Sequence, residues 1–498
     1  MLLLLLILTS FTIYIISYIY RLSQYPSGPL PLPIIGNLLS LNVKHPHHAI
    51  DQLSTKYGPV FTLWLPLPTV IITGLDEMKE ALLTKGDNFS GRPNTPTDSF
   101  FMNVPNGGII FSQGNEWKEQ RMFALSILRS FGVGSNVIED MIHRSLDELF
   151  EHLDQSDLSS IDINWPVHLC VGNIIHQLLF GKVIKQKDSG QMKYYQDLIE
   201  DAMKKVRSEP CVPLVQAYPW MINLPIIGWR GYGEMRSVAL QLIHYVQSQI
   251  NYHEKEMESN PDDCTSTFIG AYLEEMKKKK EVRLGDSFDM ENLVNTATDI
   301  WLAGMETAAT SIRWGLLFLV ANPDIQERIY EEIVHRIGKS DRRLSMNDKT
   351  SMTYSSAFIY EVHRISNVVT FNVFRKNFFD DTIAGQRVPA GTTILPQICS
   401  VMSSDQHFDN ANEFNPNRFI DSSNGKNELI KEQIDKVVAF SMGKRQCAGE
   451  SLARTEMFLV LLSIIQRYRI ESIDPIDIEP VFGILQSPPS SKWKLTRR

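Results

Sequence analysis

The chain opens on an uncharged, mostly apolar run, Met1 to Tyr20, and then changes character. A bilayer-spanning helix needs about 20 such residues. No basic residue precedes the run, it exceeds the ~7–15 residues of a signal-peptide core, and no small-residue cleavage site follows, so it reads as a retained anchor. Arg21, Lys44 and Lys56 follow it, which leaves the body on the cytosolic side. Next comes PSGPLPLPIIGN, where Pro26, Pro29, Pro31 and Pro33 exclude helix and favour a stiff, extended linker. Beyond it, apolar residues recur at helical spacing over Val137–Leu153, Val238–Glu254, Met290–Val320, Asp324–Ile337, Ser355–Ile365 and Ser451–Ile470. Val60–Leu65 and Thr69–Thr73 read as strands across a proline-bearing turn, and Thr392–Leu395 as another after Val388-Pro389-Ala390-Gly391. The expectation is a mainly α chain with a small β portion. It divides into an anchor (1–20), a proline-rich linker (21–36) and one body (37–498) without internal repeats.

Composition narrows the function classes. Of 498 residues, 43% are hydrophobic and 21% charged, which excludes wholesale disorder, a collagen and a multispanning membrane protein. Lys and Arg number 49 against 57 Asp and Glu, a net charge of −8, so a general nucleic-acid binder is disfavoured. Cys170, Cys211, Cys264, Cys399 and Cys447 form no closely spaced pair and read as free thiols of a reducing compartment. The basic run Met276–Arg283 reads as a solvated loop before the long helix. His45–His48 reads as a turn, because Asp51 alone does not complete a metal-ligand set. The apolar segment Tyr218–Trp229 admits two readings, a tucked core loop or a loop touching a membrane interface.

One cysteine stands apart. Cys447 lies in FSMGKRQCAGE, Phe440 to Glu450, just before a predicted helix. Helix-end N–H groups and Arg445 favour a thiolate there. Gly443 and Gly449 leave room for a flat group against the backbone. The pattern Phe440-x-x-Gly443-x-Arg445-x-Cys447-x-Gly449 resembles the haem-binding signature of the cytochrome P-450 superfamily. The resemblance implies that fold, with an N-terminal transmembrane anchor, and makes Cys447 the axial thiolate of haem b iron. A mid-helix threonine such as Thr307 often only bonds back to the carbonyl four residues earlier. Yet Ala303-Gly304-Met305-Glu306-Thr307-Ala308 resembles the family's oxygen-activation motif. There the helix opens to make room for O2, Thr307 serves oxygen activation and Glu306 joins the relay that brings protons from solvent. Ala308 stands where relatives often carry Thr or Ser.

The remaining motifs follow the same resemblance. Trp117 and Arg121 in GNEWKEQR, Arg375 counted from Glu361, and Arg445 would hold the haem carboxylates. Phe374 and Thr370 replace prolines found in many relatives. Glu361-Val-His-Arg364 and Pro416-Asn417-Arg418-Phe419 would form a buried structural charge cluster. Asn88–Pro93 and Gly108–Gly114, with the anchor and prolines, resemble the microsomal branch that oxidises drugs, steroids and fatty acids. That implies a single pass in the endoplasmic reticulum membrane with a cytosolic body. A lipophile cavity would be lined by Phe100–Val104, Ile109–Phe111, Trp301–Ala303, Val368–Val373 and Phe482–Leu485. No nucleotide-binding glycine motif follows a strand. Electrons would therefore come from an NADPH-dependent flavoprotein reductase, or from a b-type cytochrome as a second donor. Lys118, Arg129 and Lys444 offer a face for an acidic partner. The reading is a membrane-anchored haem-thiolate monooxygenase of a lipophilic substrate. Its rivals are a haem-thiolate isomerase or peroxygenase, and a non-catalytic haem or lipid carrier on the membrane.

Overall fold

The computed structural model describes residues 2–40, 46–132, 136–259, 266–282, 287–339, 342–423, 425–483 and 485–498. The longer helices, numbered in chain order, are α1 (Leu2–Ser23), α2 (Pro46–Tyr57), α3 (Gly114–Gly132), α4 (Val137–Asp154), α5 (Asn164–Phe180) and α6 (Gly190–Ser208). There follow α7 (Glu234–Ser259), α8 (Phe268–Val282), α9 (Met290–Ala321), α10 (Pro323–Ile337), α11 (Thr353–Ser366) and α12 (Glu450–Arg467). Strands β1 (Val60–Leu65) and β2 (Leu67–Ile72) join β3 (Arg375–Lys376) and β4 (Thr393–Pro396) in one sheet, ordered β1-β2-β4-β3. Strands β5 (Tyr468–Ser472) and β6 (Trp493–Arg497) pair antiparallel. The chain is mainly helical with small sheets, as the hydrophobic pattern predicts.

Helix α9 is the spine. The Asp289 side chain caps its first turn by accepting from the Asn292 N–H at 2.6 Å. Apolar residues on nearly every face bury it among α5, α7, α11 and α12. Helix α5 comes closest. A Cβ on Gly304 would lie 2.7 Å from Ile175 Cδ1, and one on Gly172 3.1 Å from Met305 Sδ. Gly304 is thus fixed by helix packing, and α9 runs unbroken past it rather than opening.

Four of the expected helices match within two residues. Two differ more. The Val238–Glu254 pattern belongs to a helix extending from Glu234 to Ser259. The Ser451–Ile470 pattern stops at Arg467, and Tyr468 to Ile470 open β5, with Tyr468 and Ile470 buried and Arg469 exposed between them. The basic run is no loop. It completes α8, with Met276 buried and Lys277, Lys278 and Lys280 exposed. Lysines at a helix C-terminus suit the dipole. The histidine cluster is likewise no turn: Pro46 begins α2 and His47 is buried on it, while His45 lies outside the described residues.

Helix α1 covers the expected anchor, but the side chains of residues 1–4, 6–8 and 11 lie outside the described ones. Among the described residues no helix is long and apolar enough to cross a membrane. The proline segment lies along β1. Thr62 N–H donates to Ser27 O at 3.3 Å, Asn37 N–H to Trp64 O at 2.7 Å, and Trp64 N–H to Asn37 Oδ1 at 2.9 Å. Of the two readings of Tyr218–Trp229, the tucked loop fails, because Trp220, Ile226 and Trp229 are all exposed. The Tyr218 hydroxyl donates to Ile34 O at 2.8 Å, so this loop meets the proline segment, whose Leu30 and Ile34 are also exposed.

Candidate active site

The Cys447 loop is built by backbone geometry. Ser441 and Gly443 take left-handed conformations, φ 60° and 76°. A Cβ on Gly443 would sit 2.0 Å from the Leu82 carbonyl oxygen, so this glycine serves a backbone approach and not, as expected, a flat ligand. Gly449, at the N-cap of α12, has open space where a side chain would be. The Cys447 N–H donates to Phe440 O at 2.9 Å and closes the loop. Cys170 and Cys399 are buried, and burial pushes the Cys399 thiol up to about 12; Cys447 stands open, and Cys264 lies outside the described residues. Crowding by neighbours still raises the Cys447 thiol, while the Gly449 N–H and the Arg121 guanidinium pull it down. The helix-end donor was expected. The helping cation was not: Arg445 turns away, stacks 3.6 Å over the Trp117 ring and donates to Ser90 O and Ser112 O.

Four arginines converge beside this loop. Arg121 on α3 donates to Gln446 O. Arg375 on β3 is 1% exposed and donates to Ser441 Oγ at 3.1 Å and Arg445 O at 3.4 Å. The fourth, Arg92, was not singled out from the sequence. It is buried and its side chain donates to carbonyls, those of Ile110, Val373 and Phe374. Among the described residues none of the four has a carboxylate within 4 Å. Arg375 Nε and Nη1, Arg445 Nη1 and Trp117 Nε1 are buried without a hydrogen-bond partner. Burial, then repulsion from Arg92, Arg375 and Arg121, pushes the Arg445 guanidinium down to about 7. Arg375 is lowered by burial and by Arg92 and Arg121. Buried charges are ordinarily paired.

Expected sequence departures find physical substitutes. The hydroxyl of Thr370, expected in place of a proline, donates to Gln486 Oε1 at 2.9 Å, and nearby Asn372 Nδ2 donates to Ser441 Oγ at 2.7 Å, fixing the loop that leads to Arg375.

The α9 motif divides between two faces. Ala303 is exposed and Thr307 half-open in the middle of a helix where Leu302, Met305 and Ala308 are buried. The Thr307 hydroxyl bonds back to Ala303 O at 2.6 Å, as a bland mid-helix threonine would. Glu306 faces α5 instead, with Oε2 3.6 Å from His168 Nε2. Trp301 does not fit the expected cavity wall: it is fully buried and its ring meets Tyr245. Part of Phe482–Leu485 lies outside the described residues.

Two further side chains on α9 escaped the sequence reading. Asn295 Oδ1 accepts the Asn103 N–H at 2.6 Å, and Asp299 Oδ2 accepts from Ile109 and Ile110 at 2.7 and 3.0 Å. One turn apart, they pin the segment between residues 103 and 110. A Cβ on Gly108 would lie 2.3 Å from Asp299 Oδ2, so only glycine lets the loop come this close. Burial raises the Asp299 carboxyl to about 7.

The Glu361 cluster forms as expected. Arg364 holds Glu361 through two bonds of 2.7 and 2.8 Å, Arg418 adds one at 3.0 Å, and the Asn415 N–H another at 2.8 Å. Of the expected partner-facing cations, Lys118 and Arg129 are exposed, while Lys444 pairs with Asp87 at 3.2 Å.

The sequence model of the cytochrome P450 family matches residues 26–495. Mouse cytochrome P450 2C70 is 35% identical, with 93% of this chain and 92% of the relative covered. Human cytochrome P450 2C8 is 34% identical, with 94% of each covered. The probable cytochrome P450 CYP36A1 of Caenorhabditis elegans is 33% identical, with 96% of each covered.

Proposed function

The chain belongs to the cytochrome P450 family, monooxygenases that bind haem through a cysteine thiolate, and on that premise we propose that Cys447 is the iron ligand of a membrane-anchored enzyme that oxidises lipophilic substrates. The observation that carries the reading is the unneutralised arginine cluster beside the open Cys447 thiol. Haem b brings two carboxylates, a flat ring and an iron that favours sulfur. Arg121, Arg375, Arg445 and Trp117 Nε1 would take the carboxylates, with Arg92 behind them. The partnerless nitrogens of Arg375, Arg445 and Trp117 fit that role. When bound, the haem supplies O2 activation, one oxygen atom going to the substrate and the other to water.

The chain's own residues do the rest. Thr307 presents a hydroxyl on the open strip of α9, and releasing its bond to Ala303 O frees Oγ1 to pass a proton. Glu306 is the acid that resupplies it. Asn295 and Asp299 hold the segment 103–110, part of the proposed cavity wall, and exclude water by fixing it. Electrons would come from an NADPH-dependent flavoprotein reductase, with a b-type cytochrome as second donor, docking on exposed Lys118 and Arg129. Residues 1–20 would anchor the chain in the endoplasmic reticulum membrane, residues 21–36 would link, and the body from 37 onward would lie on the cytosolic side. The exposed Trp220, Ile226 and Trp229 suit an interfacial contact of that body.

The test is the carbon monoxide difference spectrum of the reduced protein, beside Cys447→Ala. A strongly red-shifted Soret band that the variant loses is the expected result. A folded, haem-loaded wild type without that band would remove Cys447 as ligand.

A further inference from the structure

We propose that His168 is a positioning residue for Glu306: it parks the Glu306 carboxylate against α5, and opening of that contact turns the carboxylate toward Thr307. The inference rests on the reading of Glu306 and Thr307 as the proton path. Glu306 and His168 side chains are 8% and 3% exposed. Their contact exists because Gly172 and Gly304 let α5 and α9 approach so closely. The Thr307 hydroxyl is committed to Ala303 O, so the two residues of the expected acid–alcohol pair use different partners in this arrangement.

The ring orientation of His168 gives the contact its logic. His168 Nδ1 lies 3.1 Å from the carbonyl oxygen of Asn164. A carbonyl can only accept, so Nδ1 carries a hydrogen and Nε2 is left facing the carboxylate. The Nε2–Oε2 contact is attractive only while one proton sits between them, on the ring or on the acid. When the pair loses that proton, two acceptors face each other, the contact opens and the carboxylate is free to turn toward Thr307. Reprotonation closes it. The carboxylate is held on one side only, since Glu306 Oε1 is buried without a hydrogen-bond partner. At 3.6 Å the contact is a charge contact without a hydrogen bond, and it releases more easily than a bidentate pair.

The charged groups of this corner are few. Arg313, on α9, interacts electrostatically with Glu306 and also with Glu200 on α6 and Asp162 ahead of α5. Arg313 Nε donates to Asn164 Oδ1 at 2.8 Å, and Asn164 Nδ2 to Ser490 Oγ at 2.9 Å toward the exposed side. Asn164 thus ties the permanent cation and the histidine together at the edge of the core.

The experiment uses the full-length, haem-loaded protein with its reductase and a turned-over lipophile. Two things are measured for wild type, His168→Gln, Glu306→Gln and the double variant. One is the denaturant midpoint, which is independent of activity. The other is the share of NADPH electrons recovered in product, across pH. Expected are single-variant losses of stability that exceed, when summed, the loss in the double variant. His168→Gln should flatten the pH profile of coupling without changing KM. Glu306→Asp, too short to keep the contact but still an acid, should flatten it as well, and it stands in should His168→Gln fail to load haem. A wild-type pH profile in both of these, with Glu306→Gln uncoupled, would overturn the parking role and leave the relay. Wild-type coupling in Glu306→Gln would overturn the relay itself. Strictly additive stabilities would remove the contact as an energetic link.

Discussion

Two sets of buried and half-buried arginines in this protein look alike in the sequence and differ in one respect. Arg364 and Arg418 surround Glu361, and their remaining N–H groups go to the carbonyls of Met402, Asp409, Asn410, Ala411 and Glu413. Arg92, Arg121, Arg375 and Arg445 have no carboxylate within 4 Å among the described residues, and Arg375 and Arg445 keep nitrogens without partners there. Burial does not separate the sets, because Arg364 is 2% exposed and Arg375 1%. Completeness does. A cluster whose charges balance internally holds the fold together. A cluster that is short of negative charge is destabilising until something brings that charge, which is what the proposed haem carboxylates would do.

The largest effect should come from unbalancing the complete set. Glu361→Ala leaves two buried guanidiniums uncompensated, and breaking such a pair costs about 3–5 kcal/mol. The loss should be the same whether or not haem is present, measured as the denaturant midpoint of both forms. A loss confined to the haem-loaded form would make Glu361 part of the binding site and dissolve the distinction.

Next comes the incomplete set, where removing a charge should act with opposite signs. Arg445→Met relieves repulsion from Arg92, Arg375 and Arg121. The haem-free protein should therefore hold or gain stability, as buried charges replaced by apolar groups often do. Haem affinity should fall roughly 10–100-fold, the equivalent of about 1.5–3 kcal/mol for a hydrogen bond to a charged group. Haem transfer to a high-affinity acceptor protein reads the second quantity, and denaturation of the haem-free form the first. Parallel losses in both would place Arg445 with the structural set.

How much of this was legible depended on where each partner lies. Helix α4 was readable because Ile138, Met141, Ile142, Leu146, Leu149 and Leu153 all fall on its buried face. The Cys447 loop was readable because its chemistry is packed into one short run. Arg92 was not, since its acceptors are backbone carbonyls of distant segments, and a carbonyl carries no residue signature. Asn295 and Asp299 were missed for the mirror-image reason, as they accept from backbone N–H groups. The basic end of α8 misled because charge was read as loop, although lysine is a good helix former. Tyr468 to Ile470 continued an apolar run across a change of period that three residues are too few to reveal. Of the two roles expected of Arg445, holding a haem carboxylate is the one proposed above, whereas that of a cation beside the Cys447 sulfur fails, because only side-chain direction shows that it stacks on Trp117.

The smallest expected effect lies between the two sets. Asp299 is a fully enclosed carboxylate that feels the charge of Arg92 without forming an ion pair with it, and burial raises it to about 7. If it behaved like Glu361, neutralising it would be costly. If its work is to accept the Ile109 and Ile110 N–H groups, Asp299→Asn keeps an acceptor oxygen and should change stability near pH 4, where the folded acid holds its proton, by no more than about 0.5 kcal/mol. Asp299→Ala strands two buried donors and should cost about 1–3 kcal/mol. The pH dependence fixes the sign. A carboxyl raised in the folded state binds a proton there that the unfolded chain has released. Its stabilising share is complete below about pH 4, the ordinary carboxylate range, and disappears as the pH climbs through about 7. Wild type should therefore lose more stability than Asp299→Asn between those limits. Equal slopes in the two proteins would mean that Asp299 stays ionised and is, after all, the missing counter-ion of the arginine cluster.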